Sequence, residues 1–320
     1  LAAEPILIDC DPGHDDAVAL LMALAHPDRF DVLGVTTVAG NTDVSQAARN
    51  AAVVCALAGR VDLPIRAGCA RPLVNAFRDA TAFHGPSGLD GLGDCLPVPS
   101  PHPQHAIDFI IDSLAASTVP VTLVCLGPLT NVAIALVKAP HLGSKIREIV
   151  FMGGARRVGG NVTPCATFNL FCDPHAAHVV FESGCPLSIV SLDATSEVVI
   201  GDETLRLMAA LGNECSDAAH RIVKFFNRRR VEVYGYPEEQ TTLNDPCVIA
   251  YLLDRDLFSG CSANVVVEHR SDMTMGMSVV DSLGVAGRLA NAIWIEHANG
   301  PGVRRTLLDS LSLYASHASG

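Results

Sequence analysis

Short runs in which almost every position is apolar alternate along the chain with stretches of three-to-four-residue periodicity. The first run is Pro5-Ile-Leu-Ile-Asp9, followed by a helical pattern from Asp15 to Ala25 and a second run from Asp31 to Val38. Helices are then predicted over Val44 to Ala58, Leu129 to Lys138 and His175 to Glu182, and strands over Val121 to Cys125, Glu148 to Met152 and Leu187 to Val190. Strands that are apolar on both faces and separated by helices predict an α/β fold: a Rossmann-like, mostly parallel sheet with helices on both faces. After Gly201 the pattern turns helical, with one long helix from Glu214 to Val231. No linker, composition shift or internal repeat divides the chain, so residues 1–320 are expected to form a single domain.

Composition narrows the class of function. Apolar residues make up 49% and charged residues 18% of 320, which excludes a disordered or collagen-like chain. Lys and Arg total 22 against 34 Asp and Glu, and the resulting charge of -12 repels phosphate backbones and anionic lipid surfaces, so neither nucleic acid nor membrane is an expected partner. The uncharged stretch Val119 to Val137 is interrupted by Pro120, Gly127, Pro128 and Asn131, and reads as strand, turn and helix rather than a membrane span. The 11 cysteines contain no CxxC pair, which favours buried reduced thiols, a reducing compartment and a cytoplasmic location. Leu1-Ala-Ala-Glu4 has neither the basic nor the hydrophobic region of a secretory leader.

In a parallel sheet, ligands bind beyond the carboxyl ends of the strands. The loop there richest in chemistry is Asp9-Cys-Asp11-Pro-Gly-His-Asp15-Asp16, where a strand end, a Pro-Gly turn and a helix start fold four acids back on one another. Acids this close repel unless a cation or shared protons neutralise them. Oxygen donors without a Cys or His pattern favour Ca²⁺ or Mg²⁺ over zinc. Asp15 and Asp16 alone would also suit a helix N-terminus, but four acids exceed what a helix start uses. The Gly-rich segment Phe83 to Asp94 reads as a mobile surface loop or a lid.

This segment resembles the amino-terminal fingerprint of the inosine-uridine-preferring nucleoside hydrolases. Thr36-Thr-Val-Ala-Gly-Asn41, His84-Gly-Pro-Ser-Gly88, Leu126-Gly-Pro-Leu-Thr-Asn131, Met152-Gly-Gly154, Phe168-Asn169 with Asp173-Pro174, and Asn244-Asp-Pro-Cys247 are similar to family segments in the same order. The resemblance implies the nucleoside hydrolase fold and Ca²⁺-dependent cleavage of a ribonucleoside to base and ribose, in a salvage role and as a homodimer or homotetramer. It implies that Asp11, Asp16, the Leu126 carbonyl and Asp245 hold Ca²⁺, with Asp11 as general base. Asp15, Asn41 and Asn169 would contact ribose hydroxyls, Asn161 the 5′ end, and Met152 and Asn244 the substrate. Each also has a structural reading: Asn41 as a turn residue, Asn131 as a helix start, Asp173 and Asp245 as N-caps before proline.

Two positions depart from the family. Asn244 stands where many members carry a His placed to protonate the leaving base, and an amide cannot act as general acid. His14, His84, Tyr234 and Tyr236 are the candidate replacements. Thr167 stands where the family often has a carboxylate for the 5′-hydroxyl, which, with Arg156-Arg157 in the preceding loop, suggests a 5′-phosphorylated or otherwise 5′-modified ribosyl substrate. Two further alternatives are a nucleoside- or sugar-binding protein that has lost catalysis, and a Mg²⁺ phosphohydrolase with Asp9 as nucleophile. Base choice is expected to rest on Phe77 to Asp94 and Tyr234 to Asn244. His102 with His105 and His175 with His178 have metal-like spacing but no partner in the sequence, and read as exposed; Arg228-Arg-Arg230 reads as the solvated end of a helix.

Overall fold

The computed structural model of the chain describes residues 2–93, 102–235, 237 and 241–315, with Tyr234 described by its backbone alone. Strand β1 (Glu4–Cys10) illustrates why the apolar runs form the sheet's centre. Ile6 and Ile8 enter one hydrophobic core and Leu7 the other, and none of the three has exposed surface. Helix α1 (His14–Leu24) is buried along its whole length against the first core, and α2 (Val44–Leu57) starts where the Asp43 carboxylate accepts the N–H groups of Ser45 and Gln46. Strands β2 (Phe30–Thr37) and β3 (Ile65–Ala67) lie outward from β1, followed by the short α3 (Thr81–His84) and then α4 (Ala106–Ala116).

The chain then crosses to the other side of β1, through β4 (Val121–Cys125), α5 (Thr130–Lys138), β5 (Ile146–Met152), α6 (Phe168–Cys172), α7 (Pro174–Phe181) and β6 (Leu187–Val190). Strand order in the nine-stranded sheet is β3-β2-β1-β4-β5-β6-β9-β7-β8. The order reverses at β1, so the loops after β1, β2 and β4 flank the crevice where a doubly wound sheet binds ligands. The apolar stretch from Val121 is strand, turn and helix, and among the described residues no helix is long and apolar enough to cross a membrane.

The chain beyond Gly201 is not wholly helical. After α8 (Leu192–Thr195), α9 (Asp202–Ala210), α10 (Glu214–Tyr234) and α11 (Pro246–Leu253) come β7 (Phe258–Val267), β8 (Ser278–Asp281) and β9 (Ala292–Ala298), closed by α12 (Gly300–Ser312). β9 joins β6 in parallel, whereas β7 runs antiparallel to both β9 and β8. These strands were missed because β7 opens with Phe258-Ser-Gly-Cys-Ser262 at a solvated edge, where small polar residues hide the alternation. The segment from Phe83 is also more fixed than a surface loop. Leu89 and Leu92 are buried, and the Asn50 side chain donates to the carbonyls of Pro12 and Ser87 at 2.9 Å each. Asp94 lies outside the described residues. The ten described cysteines are free, seven of them buried.

Candidate active site

The turn after β1 is held by its own acids. The Asp16 carboxylate accepts the N–H of Gly13 at 3.0 Å and of Asp11 at 3.2 Å, so the helix start folds back onto the strand end. Asn41, in the loop after β2, donates its backbone N–H to Asp11 Oδ2 at 2.7 Å and its side-chain amide to Asp16 Oδ2 at 3.1 Å. Asp11 Oδ1 is buried with no hydrogen-bond partner. The glycines on either side make room for it: a Cβ at Gly127 would stand 2.5 Å from Asp11 Oδ1, and one at Gly40 would collide with Oδ2.

Asp245 closes the group from the far end of the chain. It occupies the N-cap of α11 ahead of Pro246, yet its side chain makes no capping bond. Carboxylate oxygens of Asp15, Asp16 and Asp245 lie within 4.8 Å of one another, all buried. Burial and mutual repulsion push the acids of Asp11 and Asp245 well above the usual carboxylate range and Asp16 up to about 6. Burial also raises Asp15, against the pull of Arg230 and the Asn244 N–H. An orphaned oxygen among mutually repelling carboxylates is what a hard divalent cation satisfies, so these residues fit a metal ion. Asp15, expected as a hydroxyl contact, stands inside this carboxylate group.

Beside the acids is a cavity of about 420 Å³. Asp11, Asp15, Asn41, Leu126, Met152, Asn161, Thr167, Asn169, Asn244 and Asp245 all line it, as does His84, while Asp16 lies behind them. Asn169 Nδ2 donates to the carbonyls of Leu126 (2.5 Å) and Met152 (3.0 Å), which leaves its amide oxygen as acceptor. Asn161 is turned the other way: its Oδ1 accepts the Phe168 N–H at 2.9 Å, leaving the NH₂ to donate. Thr167 Oγ1 accepts the Gly154 N–H at 2.8 Å, and Asn244 Oδ1 accepts the Thr195 hydroxyl at 2.8 Å.

Other expectations are corrected. Asp9 does not line the cavity. Its Oδ1 accepts from Thr36 at 2.6 Å and from Asn131 at 2.8 Å, and burial raises its acid to about 7, so it is a buried support and not a nucleophile. Asn131 is no mere helix start, since it also donates to the Thr37 carbonyl and accepts the Cys69 N–H. Asp173 both caps α7 and accepts from Thr130 and Leu73. His14 sits behind His84, its ring stacked on His84, Phe225 and Phe226, its Nδ1 2.9 Å from His84 Nδ1 and its Nε2 2.8 Å from the Asp90 carbonyl. Burial holds both imidazoles down to about 3, hence neutral. Arg156 and Arg157 lie outside the cavity and face Glu296, which removes them as a 5′-phosphate site. Tyr236 and the side chain of Tyr234 lie outside the described residues.

Sequence reasoning missed Phe226 and Arg230, both lining the cavity from α10. Arg230, assigned to a solvated helix end, donates to the Thr242 carbonyl and hydroxyl at 3.0 Å each. The four-residue spacing of Phe226 and Arg230 on one helix face was the available signal.

Comparison with known proteins agrees with this geometry. Residues 6–305 match the family model described as inosine-uridine preferring nucleoside hydrolase. The chain is 41% identical over 315 residues to a pyrimidine-specific ribonucleoside hydrolase, RihA, of Shewanella sp. strain ANA-3, covering 98% of this chain and 97% of that one. Among solved structures, a plant nucleoside hydrolase, the PpNRh1 enzyme, superposes with a TM-score of 0.90 at 27% identity, covering 97% of this chain and 99% of that one. The purine-preferring ribonucleoside hydrolase from Gardnerella vaginalis superposes with a TM-score of 0.89 at 26% identity, covering 97% and 98%. The carboxylate turn, the switch-point cavity and these matches together place the chain in the inosine-uridine preferring nucleoside hydrolase family, as a hydrolase of ribonucleosides.

Proposed function

We propose that the chain hydrolyses the N-glycosidic bond of pyrimidine ribonucleosides, releasing base and ribose, with a calcium ion held by Asp11, Asp16, Asp245 and the Leu126 carbonyl beside Asp15. The observation that carries this reading is the buried, partnerless Oδ1 of Asp11 at the edge of a cavity shared with the other acids. Oxygen-only donors suit Ca²⁺, which takes about six to eight oxygen ligands and leaves positions for water and sugar hydroxyls. When bound, the cation supplies the positive charge that acidifies water and orients hydroxyl groups.

The chain's own residues do the rest. Asp11 Oδ2 is fixed by the Asn41 N–H, and the Asp11 carboxylate is the general base that takes a proton from water attacking the anomeric carbon, as the nucleobase leaves with the electron pair of the glycosidic bond and takes up a proton from solvent. Asp15 and the free amide oxygen of Asn169 accept from ribose hydroxyls, and the Asn161 amide donates toward the 5′ end. His84 Nδ1 accepts the His14 backbone N–H at 3.2 Å and lies 2.9 Å from His14 Nδ1, while His14 Nε2 donates to the Asp90 carbonyl, and these contacts fix the His84 ring at the cavity wall where the nucleobase would lie. The stacked rings of His84 and Phe226, 5.2 Å apart, give the base an aromatic wall. The pyrimidine assignment follows the relative named above.

A panel of uridine, cytidine, inosine and adenosine, assayed with Ca²⁺ and after chelation, tests the reading. Pyrimidine turnover that falls on chelation and returns with Ca²⁺ is the expected result. Equal turnover of purines overturns the specificity, and indifference to chelation overturns the metal.

A further inference from the structure

His175 and His178 have no partner in the sequence, but the fold supplies one. They lie one turn apart on α7, and His269, in the segment after β7, packs its ring 4.5 Å from that of His178 and 5.4 Å from that of His175. All three side chains are partly buried. None of them lines the active-site cavity.

We propose that His175, His178 and His269 form a second metal site, for a borderline divalent transition ion such as Zn²⁺ or Ni²⁺. Neutral imidazoles are the preferred ligands of such ions and poor ligands for Ca²⁺, so the site is chemically separate from the carboxylate group. The spacing fits: two imidazoles on one tetrahedral ion, with metal–nitrogen bonds of about 2.1 Å, hold their ring centroids about 5 Å apart.

Two hydrogen-bonding features point the same way. His269 Nδ1 is 3.1 Å from the Val267 carbonyl, an acceptor only, so the proton resides on Nδ1 and Nε2 presents a lone pair. A metal-bound histidine is commonly oriented by such a bond. His175 Nδ1 is buried without a hydrogen-bond partner. Burial and then the neighbouring His269 hold His178 below its ordinary value, which favours the neutral ring that a metal needs. Glu182, one turn further along, offers a compensating charge, and Arg270 opposes it. The ring nitrogens of the three do not lie within 4.8 Å of one another as the carboxylate oxygens do, and the His178 and His269 rings are stacked at 26°, so binding requires the side chains to turn toward a common point. An ion here would tie α7 to the segment that carries Gly276 over Phe171 and pairs Met277 with Ala166, next to Thr167 of the cavity.

The test is calorimetric titration of the full chain with Zn²⁺, with millimolar Ca²⁺ present to occupy the carboxylate group. The wild-type chain is expected to bind one Zn²⁺ with micromolar affinity, and His178→Ala and His269→Ala are each expected to weaken it about tenfold or more. Circular dichroism melts in chelator show whether the variants fold, and His269→Gln provides a milder substitution if Ala does not. Absence of binding below millimolar Zn²⁺, or unchanged affinity in folded His178 and His269 variants, overturns the proposal, because binding would then rest on thiols or the carboxylates.

Discussion

Asn131 donates to Asp9 Oδ1 across 2.8 Å, and that single bond joins the start of α5 to the end of β1 directly beneath the carboxylate turn. The same side chain bonds the Thr37 carbonyl and the Cys69 N–H, and neither Asn131 nor Asp9 is more than 1% exposed. Replacing Asn131 with Ala removes three hydrogen bonds at once, two of them to buried groups, and leaves Asp9 Oδ1 with Thr36 alone. Asn131→Ala is expected to lower stability by about 2–4 kcal/mol, read as a reduced urea midpoint at unchanged slope.

Asp11 bears opposite burdens in stability and in turnover. Asp11→Asn removes the proposed base and is expected to lower kcat by at least about a thousandfold with a smaller change in KM. It also removes one repelling carboxylate from a buried group, so its melting temperature in chelator should exceed that of wild type. Wild-type kcat in the variant would remove Asp11 from the mechanism.

Space around Asp11 can be tested without altering any charge. Gly127→Ala places a methyl 2.5 Å from Oδ1, forcing the carboxylate aside. A loss of about a hundredfold or more in kcat is expected from this displacement. Steady-state kinetics of Gly127→Ala beside an alanine substitution at Gly201, where φ is -92° and an added methyl meets nothing, separate the effect from that of adding a methyl as such.

The raised acids make metal-free stability depend on pH. Asp9 and Asp16 bind their protons in the fold up to about 7 and about 6, against 3.8 as the ordinary value. Between those limits the folded chain holds more protons than the unfolded one, so stability is greatest in acid and falls as pH rises through the folded values. In chelator, the melting temperature should therefore drop from pH 5 to pH 8. Saturating Ca²⁺ should flatten that slope, since an ion takes the place of the protons. A slope unaffected by Ca²⁺ would separate the ion from these acids.

The parallel half of the fold was legible because strands buried on both faces must be apolar throughout, as in Ile6-Leu-Ile8. The acid turn was legible because Asp11, Asp15 and Asp16 are close in sequence. Asp245 could be reached only through resemblance, since nothing local separates an Asp before proline that joins the acid cluster from an ordinary N-cap; the distinction is that its carboxylate makes no capping bond. Phe226 and Arg230 were hidden by the opposite problem, because a helix approaching from a distant part of the chain leaves no mark beside the motif it completes. β7 escaped because its solvated end carries Ser, Gly and Cys where alternation would have shown.

Asp245 is brought to the β1 turn by α11, which packs against α1, and every strand up to β6 precedes it in the chain. A chain that ends before α11 would therefore lack one of the acids proposed to hold the ion. With the proposed ion, activity would then hinge on the carboxy-terminal third staying docked, and its loosening would be expected to open the acid cluster before the parallel sheet itself gives way.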